Sequence, residues 1–469
     1  MKNFFCLALA ALISATASGA AEPPPSVAGF TFVKTVGPIS EYRLDTNGLQ
    51  VLLLPEHSSP TLTFMVTYRV GSRNEVTGTT GSTHLLEHLM FKGTPKFNRD
   101  KGNSIDQFVE RVGGQYNAST SFDRTNYFAN IGSENLEGYM AIEADRMRNL
   151  SLRESDRKTE MTVVRNEFEI GENNPGEALE KEIYAAAYIA HPYHHPTIGW
   201  RSDIENVPIE KLRDFYSTFY WPDNSTVSVI GDFDPTKVLG LLKKYYGSYP
   251  KAPHPIPTIY TEEPEQTAPR RIIVKRAGEL GVVAIAHKIP PATHPDQAAI
   301  KVLDNILTEG KNSRYYRALT DKNLTTGVNG DAGFLHDASL HILFAGLAPN
   351  VTHEQVEKVA LDELERVKQE GVTDAEVASA ASQFLAGAAY GRDGSFNVAS
   401  RLNEFIAAGD WTLYVTGEDA IQKVTAADVK RVANAYFVED KRTTGWFIPA
   451  GGKGEAPEPD EAKPEGPTQ

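Results

Sequence analysis

The chain has 469 residues, enough for two or three domains of about 100–200 residues each, and 41% hydrophobic with 23% charged residues is a globular composition. Lys and Arg number 47 against 61 Asp and Glu, a formal charge of −14, which argues against a nucleic-acid backbone as partner. The single cysteine, Cys6, permits no intrachain disulfide and no cysteine-based zinc or iron–sulfur cage, so any metal must be held by nitrogen and oxygen ligands.

In chain order, the basic start Met1-Lys2-Asn3 leads into an apolar run from Phe4 to Ile13, and then into small residues around Ser18-Gly19-Ala20 and Ala21. This is the tripartite pattern of a secretory signal, expected over residues 1–21, and it predicts a periplasmic or secreted protein. Cys6 falls inside it, so the exported chain has no thiol and a cysteine nucleophile is excluded. No later apolar run reaches the ~20 residues of a membrane helix, so no membrane span is expected.

After a Pro-rich stretch at 22–29, Leu49 to Leu54 reads as a strand. The alternation Leu62, Phe64, Val66, Tyr68, Val70 predicts a half-buried strand of period two. Helical patterns follow at 82–92, 103–112, 134–150 and 154–172, with a strand-like stretch from Tyr116 to Ile131 among them. The prolines of Tyr249 to Pro257 mark an interdomain linker over 248–270.

Beyond the linker the pattern repeats. Val207 to Leu212 resembles Val424 to Val429, and Phe219-Tyr220-Trp221 resembles Tyr436-Phe437-Val438, both at an offset of 217 (207 to 424, 219 to 436). A repeat this long is a duplicated domain rather than a solenoid unit. The boundaries expected are 22–247 and 271–450, with a disordered tail over 451–469. Mixed strands and helices in each half predict an α+β fold of two tandem homologous α/β sandwich domains, each a mixed, largely antiparallel sheet with helices packed on one face.

The chemistry concentrates in His84-Leu85-Leu86-Glu87-His88. Positions four apart share a helix face, so His84 and His88 can present two imidazoles to one cation, with Glu87 bordering the same face. The neighbours Leu85, Leu86, Leu89, Met90 and Phe91 predict a buried helix, where two imidazoles and a carboxylate call for a compensating divalent ion. With 12 His and 61 acidic residues in 469, about 0.04 matches to this pattern arise by chance. Catalytic zinc takes three protein ligands and leaves one position for water. A third ligand must come from elsewhere, and the helix around Lys158 to Glu169 offers Glu160 and Glu167, seven apart on one face. Spacing alone does not choose between them.

Gly71-Ser72-Arg73-Asn74-Glu75, the His84 to His88 motif and Phe91-Lys92-Gly93-Thr94 together resemble the inverted-zincin signature of the M16 metallopeptidases. That family includes pitrilysin, insulysin and the mitochondrial processing peptidase. Gly113 to Thr120 with Thr125 to Phe128 resembles the family's substrate strand, and His191-Pro192-Tyr193 with Pro196 to Gly199 resembles a further segment. The resemblance implies the duplicated-domain layout and one Zn2+ per chain, held by His84, His88 and Glu167. It also implies Glu160 as a supporting residue behind the ligands, Glu87 as general base for attack of water on a peptide bond, and Asn117 and Ala118 as contacts to the substrate backbone.

Two features qualify the expectation. The region Leu340 to Ala348, taken as the match to the family's Arg and Tyr pair that holds a substrate carbonyl, contains neither, and the second half has no H-x-x-E-H. A partner is therefore expected to supply the pair, either a second M16-like subunit in a heterodimer or another copy in a homodimer. The alternative is a non-catalytic peptide-binding or scaffold subunit on the same fold, which would need none of His84, Glu87, His88 and Glu167. His194-His195 suggests a solvated or hydrogen-bonded loop pair rather than a second metal site, and Arg314-Tyr315-Tyr316-Arg317 an ordinary helix face or, alternatively, a contact to substrate termini.

Overall fold

The computed structural model describes residues 25–450; the signal segment expected over 1–21 and the tail expected over 451–469 lie outside the described residues. The strands are β1 (Phe30–Val36), β2 (Ile39–Leu44), β3 (Gln50–Pro55), β4 (Thr61–Tyr68), β5 (Gln115–Thr120), β6 (Thr125–Gly132) and β7 (Ser225–Gly231), followed by β8 (Arg270–Arg276), β9 (Val282–Ile289), β10 (Thr325–Ala332), β11 (Ser339–Leu347) and β12 (Arg442–Pro449). They form a seven-stranded sheet in the order β1-β2-β3-β7-β4-β6-β5 and a five-stranded sheet in the order β10-β11-β9-β12-β8. Each sheet is antiparallel except at one pair, β3 with β7 and β8 with β12.

The second sheet repeats the first. Reversed, its order β8-β12-β9-β11-β10 corresponds strand for strand to β3-β7-β4-β6-β5, and β1-β2 is an addition at the far edge. The offset read from the sequence persists in the elements: the helix Ile209–Phe219 and strand β7 recur as Ala426–Tyr436 and β12, both 217 residues on (209 to 426, 225 to 442). The stretch Tyr116 to Ile131 is a hairpin, β5 and β6, joined at Ser121–Arg124.

Each half packs its own helices on one face of its own sheet, around two separate apolar cores. The opposite faces are covered by exchange. The first half's helix Pro175–Ala187 sets Leu179, Ile183 and Tyr184 against Ala284, Ala286, Ile342 and Phe447 of the second sheet. The second half's helix Ser395–Ala408 sets Val398, Leu402 and Ile406 against Leu52, Met65 and Ile230 of the first. Fully burying a side chain such as Leu402 contributes about 1.5–3 kcal/mol, so this exchange is a major bond between the halves.

It also corrects the reading of β4 as half-buried. Leu62, Phe64, Val66 and Tyr68 face the first core as the alternation predicted, but Thr63, Met65 and Thr67 are buried as well. The two hydroxyls that made this face look solvent-directed are satisfied across the interface, Thr63 Oγ1 with Ser395 Oγ at 3.0 Å and Thr67 Oγ1 donating to Asn403 Oδ1 at 2.6 Å.

Between the sheets, residues 250–269 form no helix or strand, as their proline content requires, yet they are anchored. Glu263 accepts the backbone N–H groups of Ile189, Ala190 and His191 at 2.9–3.0 Å, and Gln266 Nε2 donates to Arg442 O at 2.9 Å. No described helix is long and apolar enough to cross a membrane.

Candidate metal centre

The helix Ser82–Leu89 carries the motif, and its start is fixed by the backbone around it. Gly81 precedes it at φ +81°, a left-handed conformation costly for residues with a side chain, and a Cβ there would lie 2.4 Å from Ile198 O. The segment Pro196 to Gly199 thus presses directly on the helix start. Glu75, at the end of Gly71 to Glu75, caps it: Gly81 N donates to Glu75 Oε2 at 2.8 Å and Thr83 N to Oε1 at 2.7 Å. Burial pushes the Glu75 carboxyl up to about 8, against the pull of those two donors.

One turn in, His84 and His88 lie on the same face with ring centroids 4.9 Å apart. The helix Glu154–Asn173 crosses opposite them and places Glu167 Oε2 3.6 Å from Nε2 of each imidazole. Two ligands about 2.1 Å from one tetrahedral ion stand about 3.4 Å apart, so this spacing fits a shared zinc ion with small adjustments. These three are the only group of His, Cys, Asp or Glu ligand atoms so clustered among the described residues. Burial, reinforced by His88, pushes His84 down to about 4, leaving a neutral ring of the kind a metal binds.

Glu160 takes a different place on the same helix face. Its Oε2 lies 3.2 Å from His88 Nδ1 and its Oε1 2.5 Å from Lys92 Nζ. It therefore touches the back of one imidazole while Glu167 faces the front of both, an arrangement that orients a ligating histidine. The His84 Nδ1 atom is buried without a hydrogen-bond partner.

Glu87 is 8% exposed and points toward the end of β5, where Thr120 Oγ1 donates a short hydrogen bond to Glu87 Oε2. Burial raises its carboxyl above the usual range, while the Thr120 hydroxyl, His88 and then Arg124 draw it back down. Arg124, from the β5–β6 turn, is itself held by the second half through Glu404 Oε1, 2.6 Å from Nη2. β5 is the edge of its sheet, paired only with β6. Asn117 is exposed and Ala118 half-buried on it, and Ala118 N donates to Asn117 Oδ1 at 2.9 Å rather than to β6.

The other sequence candidates have structural partners. His195 is buried with Nδ1 3.8 Å from Glu75 Oε2, and His194 Nδ1 lies 3.3 Å from His191 O, so the pair does not converge on a metal. Arg314 is engaged by Glu376 at 2.8 Å and by Glu363 at 3.5 Å, but the segment is not the ordinary helix expected, because the chain widens into a π-helical turn at Tyr316–Thr320. The sequence alone assigns no role to Glu75, Lys92, Thr120 or Arg124, although the first three lie inside the quoted motifs.

Residues 50–200 match the family model described as Insulinase (Peptidase family M16), and residues 206–384 match the Peptidase M16 inactive domain. The chain belongs to the M16 peptidase family. It is 35% identical over 408 residues to a zinc protease, PqqE, of Helicobacter pylori, covering 86% of this chain and 91% of that protein. It is 25% identical over 431 residues to the mitochondrial-processing peptidase subunit beta of Lentinula edodes, covering 89% and 92%. The crystal structure of a protease from Helicobacter pylori superposes with a TM-score of 0.83 at 33% identity, over 90% of this chain and 99% of that one.

Proposed function

We propose that this chain is an exported zinc endopeptidase, or the zinc-bearing subunit of one, that hydrolyses unfolded peptides. The observation that carries the reading is the convergence of His84, His88 and Glu167 at tetrahedral spacing beside a buried Glu87. His84, His88 and Glu167 would hold a zinc ion, which would supply Lewis acidity to a water beside it. Glu87 accepts the proton of the attacking water and returns it to the leaving amine, a task suited to a carboxyl raised above its usual range. Glu160 holds the His88 ring.

The substrate adds to the free edge of β5 as a further strand, pairing with the backbone at Asn117 and Ala118. This favours extended, unfolded chains over folded proteins. A cavity of about 320 Å³ beside Glu167, walled by Phe122, Phe168, Tyr184 and Ile198, is sized for a substrate side chain. The second half, which matches the family's inactive domain, forms a wall rather than a second centre. A partner subunit supplies the Arg and Tyr expected opposite the zinc, so the chain alone binds zinc and cleaves poorly. The basic and apolar N-terminus directs it to the periplasm or outside.

The test compares the wild type with Glu87→Gln, each purified alone and with any companion chain that co-purifies from the native compartment. Zinc content is measured by elemental analysis and cleavage on an unfolded peptide with and without chelator. Glu87→Gln should keep zinc and lose about 10²–10⁴-fold of the cleavage rate, the usual contribution of a general base. Cleavage that survives the substitution or the chelator would refute the reading.

A further inference from the structure

Four helices of the second half, Gln297–Thr308, Asp374–Tyr390, Ser395–Ala408 and Leu413–Gln422, enclose a cavity of about 140 Å³ that is separate from the metal centre. Its wall is mostly apolar, with the polar ends of Lys301, Arg392, Arg401, Glu418, His294 and Gln297 among the lining. Lys301 reaches in with Nζ 3.9 Å from the ring centroid of Phe334, 5.9 Å from Phe384 and 6.0 Å from Phe405. Among the described residues Lys301 has no carboxylate within ion-pair distance and no hydrogen-bond acceptor. The two guanidinium groups in the wall have protein partners, Arg401 the carbonyls of Gly387 and Ala388 and Arg392 the carboxylate of Glu418.

Lys301 is only partly buried, and no protein acceptor reaches its ammonium. The three ring faces compensate part of the desolvation, but an ammonium has three N–H donors and these rings offer no lone pair. Burial, with Arg401 adding to it, draws the amine down to about 8, and Asp331 only partly offsets them. The one carboxylate in the wall, Glu418, is taken by Arg392, so an anion entering the cavity would meet a free ammonium. The volume is that of a cavity which holds one benzene ring, so the rest of the ligand is apolar and small.

We propose that this cavity is a binding site for small apolar monocarboxylates, with the carboxylate on the Lys301 ammonium and a ring or branched alkyl body against Phe334, Phe384 and Phe405. The acid is either free or the C-terminal residue of a peptide. The site is independent of the catalytic reading above.

The test titrates the zinc-loaded full chain with phenylacetate and with its neutral counterpart 2-phenylethanol by calorimetry. A charge-assisted contact predicts that phenylacetate binds at least about tenfold more tightly, and that Lys301→Met weakens it by at least the same factor. Lys301→Met should still fold, because a side chain of similar length replaces an unpaired, partly buried charge; a thermal melt near the wild-type temperature verifies this. A carboxylate binding at the zinc instead would be untouched by Lys301→Met, so undiminished binding in that variant overturns the proposal. Equal affinity for the alcohol, or no binding of phenylacetate to the wild type, overturns it too. In a second arm, N-acetylphenylalanine competing with phenylacetate identifies peptide C-termini as ligands, and its exclusion identifies free acids; both are forms of the proposed class.

Discussion

The contact behind His88 is where the construction of the metal centre can be tested most directly. Glu160 Oε2 sits 3.2 Å from His88 Nδ1, and an acceptor there keeps the proton on Nδ1 and the Nε2 lone pair turned toward Glu167. His84 has no such support, since its Nδ1 is buried without a partner. One of the two rings is therefore held only by packing, and the loss of Glu160 would leave both so. Outer carboxylates of this kind are worth about 10–100-fold in metal affinity, or roughly 1.4–2.8 kcal/mol at about 1.4 kcal/mol per tenfold. Glu160→Ala should fall in that range. Glu160→Gln should lie near its lower end, because the amide oxygen still accepts from Nδ1–H while the charge opposite Lys92 is lost. Glu167→Gln, which touches the front of both rings, should lose more than either. The assay is competition for zinc against a chromophoric chelator, with thermal melts of the metal-free proteins separating lost affinity from lost fold. If Glu160→Ala binds zinc within about twofold of the wild type, the carboxylate does not orient the ring.

Three further substitutions probe the frame around the site. Thr120→Val removes the donor that draws the Glu87 carboxyl down against burial; a base must be ionised to act, so the acid limb of the kcat/KM profile should move to higher pH while the alkaline limb stays. Ala118→Pro removes an N–H that lies on the free edge of β5 and makes no bond to β6; proline is tolerated at such an edge, and the loss of one backbone hydrogen bond predicts a fall of about 2–10-fold in kcat/KM with unchanged zinc content. Gly81→Ala combines a left-handed φ of +81°, costing about 1–2 kcal/mol, with a Cβ 2.4 Å from Ile198 O, so its melting temperature and zinc content should fall together.

Much of the centre is legible in the sequence because the relevant geometry is local. His84 and His88 meet because a helix brings residues four apart onto one face, and the apolar residues around them make that face buried. Spacing could not separate Glu160 from Glu167 for a reason the structure makes plain. Both are on the facing side of one helix, two turns apart, and each meets a different side of the same imidazole. Glu75 and Thr120 escaped notice because a helix cap six residues upstream and a hydroxyl across a sheet are properties of the folded neighbourhood, invisible to periodicity. β4 was misjudged for a related reason: its threonines look water-directed until Ser395 and Asn403, more than 300 residues away, are brought against them. The duplication was visible as a sequence offset, whereas the exchange of covering helices was not, since no local pattern tells a helix which sheet it will lie on.

That exchange constrains how the molecule can be made. When synthesis reaches the proline-rich segment after Tyr249, every strand of the first sheet exists, but the helix that shields Leu52, Met65 and Ile230 from water is still about 150 residues from completion. The amino-terminal portion must wait with a sticky surface uncovered. A gene cut at that segment would yield two polypeptides that are each poorly soluble alone and that regain solubility only when mixed, because each carries the lid belonging to its counterpart.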